Sequence, residues 1–465
     1  MRELRPVADG PVAGVAERAR TYFRTEATLP IEKRIERLKA LDASIRVFET
    51  RIFDALKQDL GKPLHEAYPA EVGLVYDELK HTISSLKRWA KPTKVSSPVV
   101  LWPVSAYRQP EPLGTALIIS PWNYPFQLAI SPLVGAIGAG CNVVMKPSEL
   151  SPATSAVMAE CLTAAFGDDG FVQVVQGDAE VSKALLAEKW DIIFFTGSTR
   201  VGQVVMEAAA KHLTPVVLEL GGKSPTIIDE QVDLEIAARR VAWGKFYNAG
   251  QTCIAPDYVL VHKNVKSAFV DALGKTIREF FGENPQASAD YARIISSRHF
   301  DRLLTLMKGG TVAHGGQSDA ASKYIAPTIL TDVKLTSQLM QEEIFGPLLP
   351  ILEVESIEAA IQFVKDRPKP LALYVFSKDS AKTDEVLRRV SAGGAVANDC
   401  IIHVATHTLP FGGVGDSGMG AYHGKYSFDA FSHYKSVMKK PWVFDLKVRY
   451  PPYKTPLAVL KKLIG

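Results

Sequence analysis

From residue 115 onward, short apolar runs rich in β-branched residues alternate with stretches whose apolar residues recur at helical spacing. The runs are TALIIS, CNVVMK, FVQVVQ, DIIFFTG and PVVLEL, and a helical stretch lies between each pair. Strands that are apolar along their whole length belong to parallel sheets covered by helices on both faces. Such doubly wound sheets bind nucleotides at the carboxyl ends of their strands. The alternation therefore predicts an α/β fold with a nucleotide-binding sheet.

A second series of strands and helices follows Gly222. Its strands include DYVLVHK, GPLLPILEV, LALYVFS and AVANDC, with helical stretches such as VKSAFVDALGKTIREFFG between them. This series predicts a second α/β domain. Residues 13–92 precede the first series and have helical periodicity. The segment that follows them, KPTKVSSPVVLWPVSAYRQPEP, is rich in proline and β-branched residues, which indicates a hairpin or an extended arm.

Composition narrows the class of protein. With 47% hydrophobic and 22% charged residues in 465, the chain has the composition of an ordinary globular protein. The net charge of +4 is not gathered into a basic block, which argues against a nucleic-acid partner. None of the four cysteines forms a C-x-x-C pair, so we expect neither a zinc site nor a disulfide framework. Reduced thiols are typical of a cytoplasmic protein.

Neither a signal peptide nor a transmembrane segment is predicted, because the N-terminal residues lack an apolar core and no apolar run of about 18 residues occurs. The chain ends in TPLAVLKKLIG, which is apolar with two lysines. Two interpretations stay open for this tail: a docked or frayed end, or a short helix that touches a membrane or covers a pocket. We therefore expect a cytoplasmic protein, with peripheral membrane contact through the tail as the open alternative.

Two stretches at predicted strand ends have the residues of a phosphate or ribose site. In FFTGSTRVGQVVM, Gly197 and Gly202 lie where a strand ends and a helix begins, and free N–H groups at a helix start attract anions. Ser198 or Thr199 can cap this helix. In VVMKPSEL, Lys146 ends a strand, and Glu149 is near enough in sequence to bond ribose hydroxyls. The alternatives are an ordinary strand-to-helix turn and a solvated Lys–Glu pair.

Three polar side chains are candidates for catalysis. Cys253 lies on a loop of small and polar residues, FYNAGQTCIAP, where a thiolate can attack a carbonyl carbon. Glu219 ends an apolar strand, and burial raises the pKa of a carboxyl group toward the range of a general base. Asn123, in SPWNYPFQ, can donate to a developing oxyanion. The alternatives are a space-filling cysteine, a glutamate capped by backbone amides and an asparagine that caps a turn.

Histidines in the last part of the chain raise two other functions. His403, His407, His423 and His433 offer partners for a cysteine protease or ligands for a metal. Zinc sites usually show tighter spacing, as in H-E-x-x-H, and that motif is absent from the sequence. We therefore predict no metal site and do not favour a protease.

An ordered series of motifs extends from residue 121 to 420. The motifs are PWNYP, KPSE, FTGSTRVG, LELGGKSP, GQTC, EEIFGP and PFGGVGDSGMG. Together they resemble the aldehyde dehydrogenase superfamily, and flanking stretches such as YIAPTIL, KPLALYVFS and YHGKYSFDAFSH resemble its class 3 branch, which acts on fatty and aromatic aldehydes. The resemblance covers almost the whole chain. Asp416 departs from the asparagine expected in close class 3 relatives, and the membrane-spanning tail of the fatty-aldehyde members is missing.

The resemblance implies a role for each matching residue. Cys253 would be the nucleophile and Glu219 the general base, and the Asn123 amide and the Cys253 backbone N–H would bind the oxyanion. Lys146 and Glu149 would hold the adenosine ribose. The full set of implied cofactor-binding residues is Trp122, Lys146, Glu149, Gly197, Ser198, Val201, Gly202, Leu220, Glu343 and Phe345. The aromatic residues suggested for an apolar substrate channel are Tyr68, Tyr124 and Trp243.

The resemblance also implies domain limits and an assembly. Residues 1–92 and 113–222 would form a Rossmann-like NAD(P)-binding domain, and 223–425 a catalytic domain. Segments 93–112 and 430–445 would form a small β oligomerisation arm for a homodimer, followed by a tail at 446–465. The implied reaction is NAD(P)-dependent oxidation of medium- or long-chain aliphatic or aromatic aldehydes. Glu149 favours NAD, and NADP stays open. A binding protein without turnover and an esterase that uses Cys253 are the alternatives.

Overall fold

The structure is a computed structural model that describes Val12 and residues 14–98, 101–445 and 449–464. The helices are α1 Val15–Arg24, α2 Ile31–Leu60, α3 Leu64–Ala67, α4 Gly73–Trp89, α5 Gln127–Ala139, α6 Pro152–Phe166, α7 Ala179–Ala187, α8 Thr199–Ala210, α9 Leu234–Phe246, α10 Lys266–Phe281, α11 Ser297–Met307, α12 Gln338–Gln341, α13 Ile357–Lys365, α14 Ser380–Arg389, α15 Lys425–Ala430 and α16 Leu457–Ile464. The strands are β1 Thr93–Val95, β2 Ser105–Pro112, β3 Thr115–Ile119, β4 Asn142–Lys146, β5 Val172–Val174, β6 Ile192–Thr196, β7 Val216–Glu219, β8 Pro225–Ile228, β9 Tyr258–His262, β10 Thr311–His314, β11 Ser318–Asp319, β12 Tyr324–Ile325, β13 Thr328–Thr331, β14 Leu348–Val354, β15 Ala372–Phe376, β16 Gly394–Ala397, β17 Gly418–Met419 and β18 Ser432–Lys439.

The first sheet contains the strands of the first predicted series. Its order is β17-β7-β6-β3-β4-β5, and all neighbours are parallel except β17, which pairs antiparallel with β7. Every residue of β3 and β4 is buried, as expected for strands covered on both faces. The chain runs outward from β3 to β5 and then returns to β6 beside β3. The crevice of this doubly wound sheet therefore lies at the carboxyl ends of β3 and β6.

The second sheet has the order β10-β13-β14-β9-β8-β15-β16, and only β10 is antiparallel to its neighbour. One cluster of buried apolar residues joins the two sheets, with members from Leu38 on α2 to Ile329 on β13. The prediction of an α/β fold with two doubly wound sheets is confirmed. Strand β17 lies within the range predicted for the second domain, yet it completes the edge of the first sheet beside β7.

A small sheet stands apart from these two. Strands β1, β2 and β18 form an antiparallel three-stranded sheet, and most of their residues are exposed or only partly buried. The rings of Trp102 and Phe444 contact each other beside it, with centroids 6.0 Å apart. Residues 99 and 100 of the predicted arm, residues 446–448 and 465 of the predicted tail, and residues 1–11 and 13 lie outside the described residues.

The C-terminal tail forms a helix. In α16 the side chains are mostly exposed, including Leu457 and Val459. Within the described ranges, no helix has the length and apolar character needed to cross a bilayer. Both interpretations of the tail therefore stay open.

Candidate active site

A cavity of about 350 Å³ lies at the carboxyl ends of β3, β6 and β7. It brings together three predicted catalytic residues, Cys253, Glu219 and Asn123. The predicted cofactor and channel residues in its wall are Trp122, Gly197, Ser198, Leu220, Glu343, Phe345 and Tyr124. The segments that supply them are far apart in sequence, so the fold alone collects them at one place.

The loop that carries Cys253 has an unusual backbone. Asn248 and Ala249 follow α9 with φ of 53° and 51°, and Gly250 has φ of 75°. Left-handed conformations cost free energy for residues with a Cβ and concentrate at functional sites. A Cβ on Gly250 would lie 2.3 Å from the carbonyl oxygen of Gly346, so only glycine fits there. This turn reverses the chain and directs the following residues, with Cys253, to the cavity.

Cys253 is partly accessible, whereas Cys141, Cys161 and Cys400 are buried. Burial, followed by the charges of Glu343 and Glu219, raises the pKa of the Cys253 thiol to about 12. Hydrogen bonds from the backbone N–H groups of Cys253 and Ile254 act in the opposite direction. The thiol is therefore protonated at neutral pH in the protein alone, and a positive charge bound beside it would favour the thiolate.

Glu219 ends β7 and is 2% exposed. Among the described residues, neither of its carboxylate oxygens has a hydrogen-bond partner, which excludes a glutamate capped by backbone amides. Desolvation raises the pKa of this carboxyl well above its ordinary value. A carboxyl group that has no hydrogen-bond partner in the protein is free to exchange a proton with a ligand or with water in the cavity.

Asn123 is buried on the loop after β3, and its side-chain Nδ2 donates to the carbonyl oxygen of Gln251 at 3.1 Å. A primary amide has two N–H groups, so this bond fixes the side chain and leaves the second N–H for a ligand. The neighbouring Tyr124 hydroxyl lies 2.7 Å from Oγ1 of Thr252. The loop that carries Asn123 is thus bonded twice to the loop that carries Cys253.

Glu343 lies against the backbone on the opposite wall of the cavity. A Cβ on Gly221 would lie 2.1 Å from Oε2 of Glu343, so the carboxylate occupies the space that a side chain would fill. Burial and the charge of Asp257 raise the pKa of Glu343 to about 8, against a hydrogen bond from the Gly222 backbone. A glutamate in this position can bond a sugar hydroxyl, as the prediction for Glu343 requires.

Aromatic side chains line the cavity beside Glu343. The ring of Trp122 contacts Phe345 at 5.3 Å and His299 at 5.0 Å between centroids. Arg302 donates from Nη1 to the carbonyl oxygen of Glu343 at 3.1 Å, which fixes the main chain of this part of the wall. The sequence interpretation missed His299 and Arg302. Their spacing on one face of α11 was a signal, but only the fold shows that this face meets the cavity.

The N-terminus of α8 is suited to a phosphate. Ser198 occupies the N-cap position, and within the described part of the chain its side chain makes no capping bond, contrary to the expectation that Ser198 caps the helix. The N–H groups of Thr199 and Arg200 thus stay available to an anion, whereas that of Val201 donates to the Ser198 carbonyl oxygen. A Cβ on Gly197 would lie 2.5 Å from the Phe195 ring, and a Cβ on Gly202 would lie 2.6 Å from Leu220. A side chain at either glycine would therefore have to displace the ring of Phe195 or the side chain of Leu220.

The remaining cofactor candidates lie outside the cavity wall. Lys146 ends β4, and its Nζ lies 2.6 Å from Oε2 of Glu149, which is partly exposed. Val201 is exposed on the first turn of α8. These residues follow the strand ends along the same crevice, and a dinucleotide is long enough to reach from them to the cavity. The residues present fit such a cofactor.

These features agree with comparisons to known proteins. The aldehyde dehydrogenase family profile matches residues 9–437. The chain is 49% identical to "Aldehyde dehydrogenase, dimeric NADP-preferring" of Canis lupus familiaris, over 95% of this chain and 98% of that protein. It is 48% identical to "Aldehyde dehydrogenase family 3 member A2" of Mus musculus, over 94% and 90%. The solved structure "Substrate bound state of Staphylococcus Aureus AldH" superposes with a TM-score of 0.95 at 45% identity, covering 97% of this chain and 99% of that one.

The chain belongs to the aldehyde dehydrogenase family. The predicted class 3 resemblance, the fold class and the assignment as an aldehyde-oxidising enzyme are confirmed. Aldehyde dehydrogenases use a nicotinamide cofactor, and the cofactor class is confirmed at that level. No group of three metal-ligating side chains occurs in the part of the chain that the structure describes.

In this aldehyde dehydrogenase the apolar end of the cavity is built differently from the predicted channel. Tyr124 lines it, whereas Tyr68 and Trp243 do not, because both lie exposed on the surface and Trp243 packs against Tyr247, which is in the wall. The apolar side chains that form the wall instead are Ala70, Leu74, Leu128, Ile254, Leu371, Ile401, Val404, Phe411 and Tyr422. None of these residues was assigned to the channel from the sequence.

Proposed function

We propose that this protein oxidises medium- and long-chain aliphatic and aromatic aldehydes to carboxylic acids with NAD or NADP. The observation that supports the proposal is the convergence of Cys253, Glu219 and Asn123 on one cavity with an apolar end. Each group has the chemistry for a different step, and a protein without turnover has no need for a buried, unpartnered glutamate there.

The steps follow from these groups. The Cys253 thiol releases its proton to solvent and its sulfur attacks the aldehyde carbon, while the free N–H of Asn123 and the Cys253 backbone N–H stabilise the oxyanion. A nicotinamide held beside Glu343 and Phe345 would supply the hydride acceptor, and loss of the hydride from this carbon would leave a thioester on Cys253. Glu219 then takes a proton from water, the hydroxyl adds to the thioester, and the acid leaves as the thiol is restored.

The aldehyde series is the test of this function. Each methylene buried against the apolar wall contributes about 0.8 kcal/mol, so kcat/KM is expected to rise by about fourfold per added CH₂ until the cavity is filled. The measurement is NAD(P)H formation with butanal, hexanal, octanal and benzaldehyde. Ester hydrolysis without cofactor is the control for bare thiol reactivity. No NAD(P)H formation with any aldehyde would refute the proposal.

The same assay tests the cofactor preference. The Glu149 carboxylate can accept hydrogen bonds from both ribose hydroxyls and would repel a 2′-phosphate, which favours NAD. Its partial exposure and single ion pair to Lys146 let it turn away from a phosphate. The canine relative is named NADP-preferring. We therefore expect activity with both cofactors and a modest preference for NAD in kcat/KM.

The arm sheet supports a homodimer. Three strands with exposed faces bury too little apolar area to be stable alone, and Trp102, Met438 and Trp442 are exposed beside them. A second copy would cover these residues, as the name of the canine relative, dimeric, also suggests. The domain limits given above, a cytoplasmic location and membrane contact through the tail stay predictions.

Sedimentation velocity tests the dimer. We expect a species of about twice 50.8 kDa for the wild type. Met438→Glu puts a charge on the exposed face of β18 and is expected to shift the population toward monomer. Leu213→Glu is the matched control, because it puts the same charge at another exposed apolar residue, after α8 and away from the arm sheet. It should stay dimeric. A monomeric wild type at micromolar concentration would contradict the proposal.

A further inference from the structure

An ion pair lies behind the loop that carries Asn123. Lys62 follows α2, and Glu71 lies on a single π-helical turn, Tyr68–Val72. Their charged atoms are 2.5 Å apart, and both side chains are completely buried, which is true of no other ion pair among the described residues. Burying two charges costs several kcal/mol per ion unless further hydrogen bonds offset it. The stability of this buried pair therefore depends on the further hydrogen bonds that its two side chains make.

The further hydrogen bonds of the pair all go to one loop. Nζ of Lys62 donates to the carbonyl oxygen of Asn123 at 3.0 Å. Oε2 of Glu71 accepts from the backbone N–H groups of Phe126 and Gln127 at 3.1 and 3.0 Å. The pair thus holds the loop at Asn123 and at the start of α5. The ammonium also lies 4.2 Å from the ring centre of Tyr124, which fixes the residue between these points.

A second set of hydrogen bonds connects the loop of Asn123 to the loop of Cys253. The carbonyl oxygen of Asn123 also accepts from Nδ2 of Asn248 at 2.9 Å, and the same Nδ2 donates to the carbonyl oxygen of Gln251 at 3.1 Å. The backbone N–H of Asn248 donates to Oε2 of Glu66 at 2.9 Å. One carbonyl, that of Asn123, is thus shared by the ammonium of Lys62 and by the strained turn before Cys253.

We propose that Lys62 and Glu71 are positioning residues, which fix the main chain of Asn123 so that its free side-chain N–H and the Cys253 backbone N–H meet at one oxyanion. The inference rests on the function proposed above. A donor aimed at developing charge is effective only when its position is fixed before the reaction, and a misplacement of about 1 Å can cost about 10²-fold in rate. The pair provides this rigidity from behind the loop, without contact to the substrate.

The test compares a single and a double variant. Lys62→Met leaves Glu71 buried without its partner, so we expect a lower melting temperature and about 10- to 100-fold slower NAD(P)H formation in the first turnover. In Lys62→Met with Glu71→Gln, the amide oxygen of residue 71 can still accept from Phe126 and Gln127 and no unpaired charge remains. We expect the melting temperature to recover and the first turnover to stay slow, because the bond to the Asn123 carbonyl is still missing.

The control and the outcomes separate positioning from stability. Lys382→Met leaves the buried Asp229 without its cation at the far side of the second sheet, and it should lower the melting temperature without slowing the first turnover. A double variant that is stable and as fast as wild type would overturn the inference. A wild type that oxidises no aldehyde would instead refute the proposed function. If Lys62→Met does not fold, the double variant alone tests the inference, because it is expected to have a melting temperature near that of wild type and a first turnover slower than that of wild type.

Discussion

Cys253→Ser is expected to lower kcat for aldehyde oxidation by at least about 10³-fold, the largest single effect that the site predicts. The hydroxyl of serine is far less acidic than a thiol. Glu219 lines the same cavity, but burial raises the pKa of its carboxyl well above the ordinary value, which disfavours the ionised form that would accept the serine proton. We therefore expect the serine hydroxyl to be activated far less than the thiol, although the apolar wall and the cofactor crevice are unchanged.

Two measurements distinguish this loss from misfolding. The first-turnover burst of NAD(P)H should disappear in Cys253→Ser, while the melting temperature stays within about 2 °C because the residue is only partly buried. Cys161→Ser is the matched control. Cys161 lies on α6 within 3.4 Å of the Ser44 hydroxyl, so a serine there keeps a polar neighbour and the wild-type rate is expected. A burst of wild-type size in Cys253→Ser would remove this residue as the nucleophile.

Glu219→Gln is expected to slow steady turnover by about 10²- to 10⁴-fold and to leave the first-turnover burst intact, because the glutamine cannot take the proton from water. The wild-type steady-state rate should rise with pH above the range in which an ordinary glutamate titrates, since the active form of Glu219 is the ionised one and burial raises its pKa well above the ordinary value. This rising limb should be absent from the variant. A variant with undiminished steady turnover would show that another group activates the water.

The same substitution should stabilise the fold. A carboxyl whose pKa is raised by folding binds its proton more tightly in the folded state, so its contribution to stability is present below the unfolded pKa and is lost as pH rises through the folded one. Glutamine has no such dependence. The melting temperature of Glu219→Gln should equal that of wild type near pH 4 and exceed it increasingly at higher pH. Glu207→Gln, at an exposed position on α8, is the control without this effect.

The parts of the site that follow strand ends were predictable from sequence. Parallel strands place their carboxyl ends at one edge, so apolar runs that end in Asn123, Lys146, Gly197 or Glu219 define a crevice without any tertiary contact. Cys253 was harder, because its loop precedes β9 in the second sheet and reaches the crevice only through the left-handed turn at Asn248 and Ala249. Its role came from the resemblance.

Other parts depend on contacts that periodicity does not encode. The bond from Lys62 to Asn123 joins residues 61 positions apart. In the π-helical turn, one extra residue shifts the helical register, so that Glu71 is buried while Tyr68 is exposed. A pattern of 3.6 residues per turn does not report this shift. Tyr68 was suggested for the channel because it is aromatic, whereas Ala70 is the residue of this turn that lines the cavity.

The position of strand β17 late in the sequence affects folding during synthesis. Glu219 lies on β7, and among the described residues the outer edge of β7 is paired by Gly418 and Met419, about 200 residues later in synthesis. A chain emerging from the ribosome therefore presents an open strand edge beside the glutamate until nearly all of its length has been released. The first sheet is consequently not completed by the N-terminal half of the chain alone: a gene fusion or truncation that ends before residue 418 removes its strand β17 as well as the C-terminus.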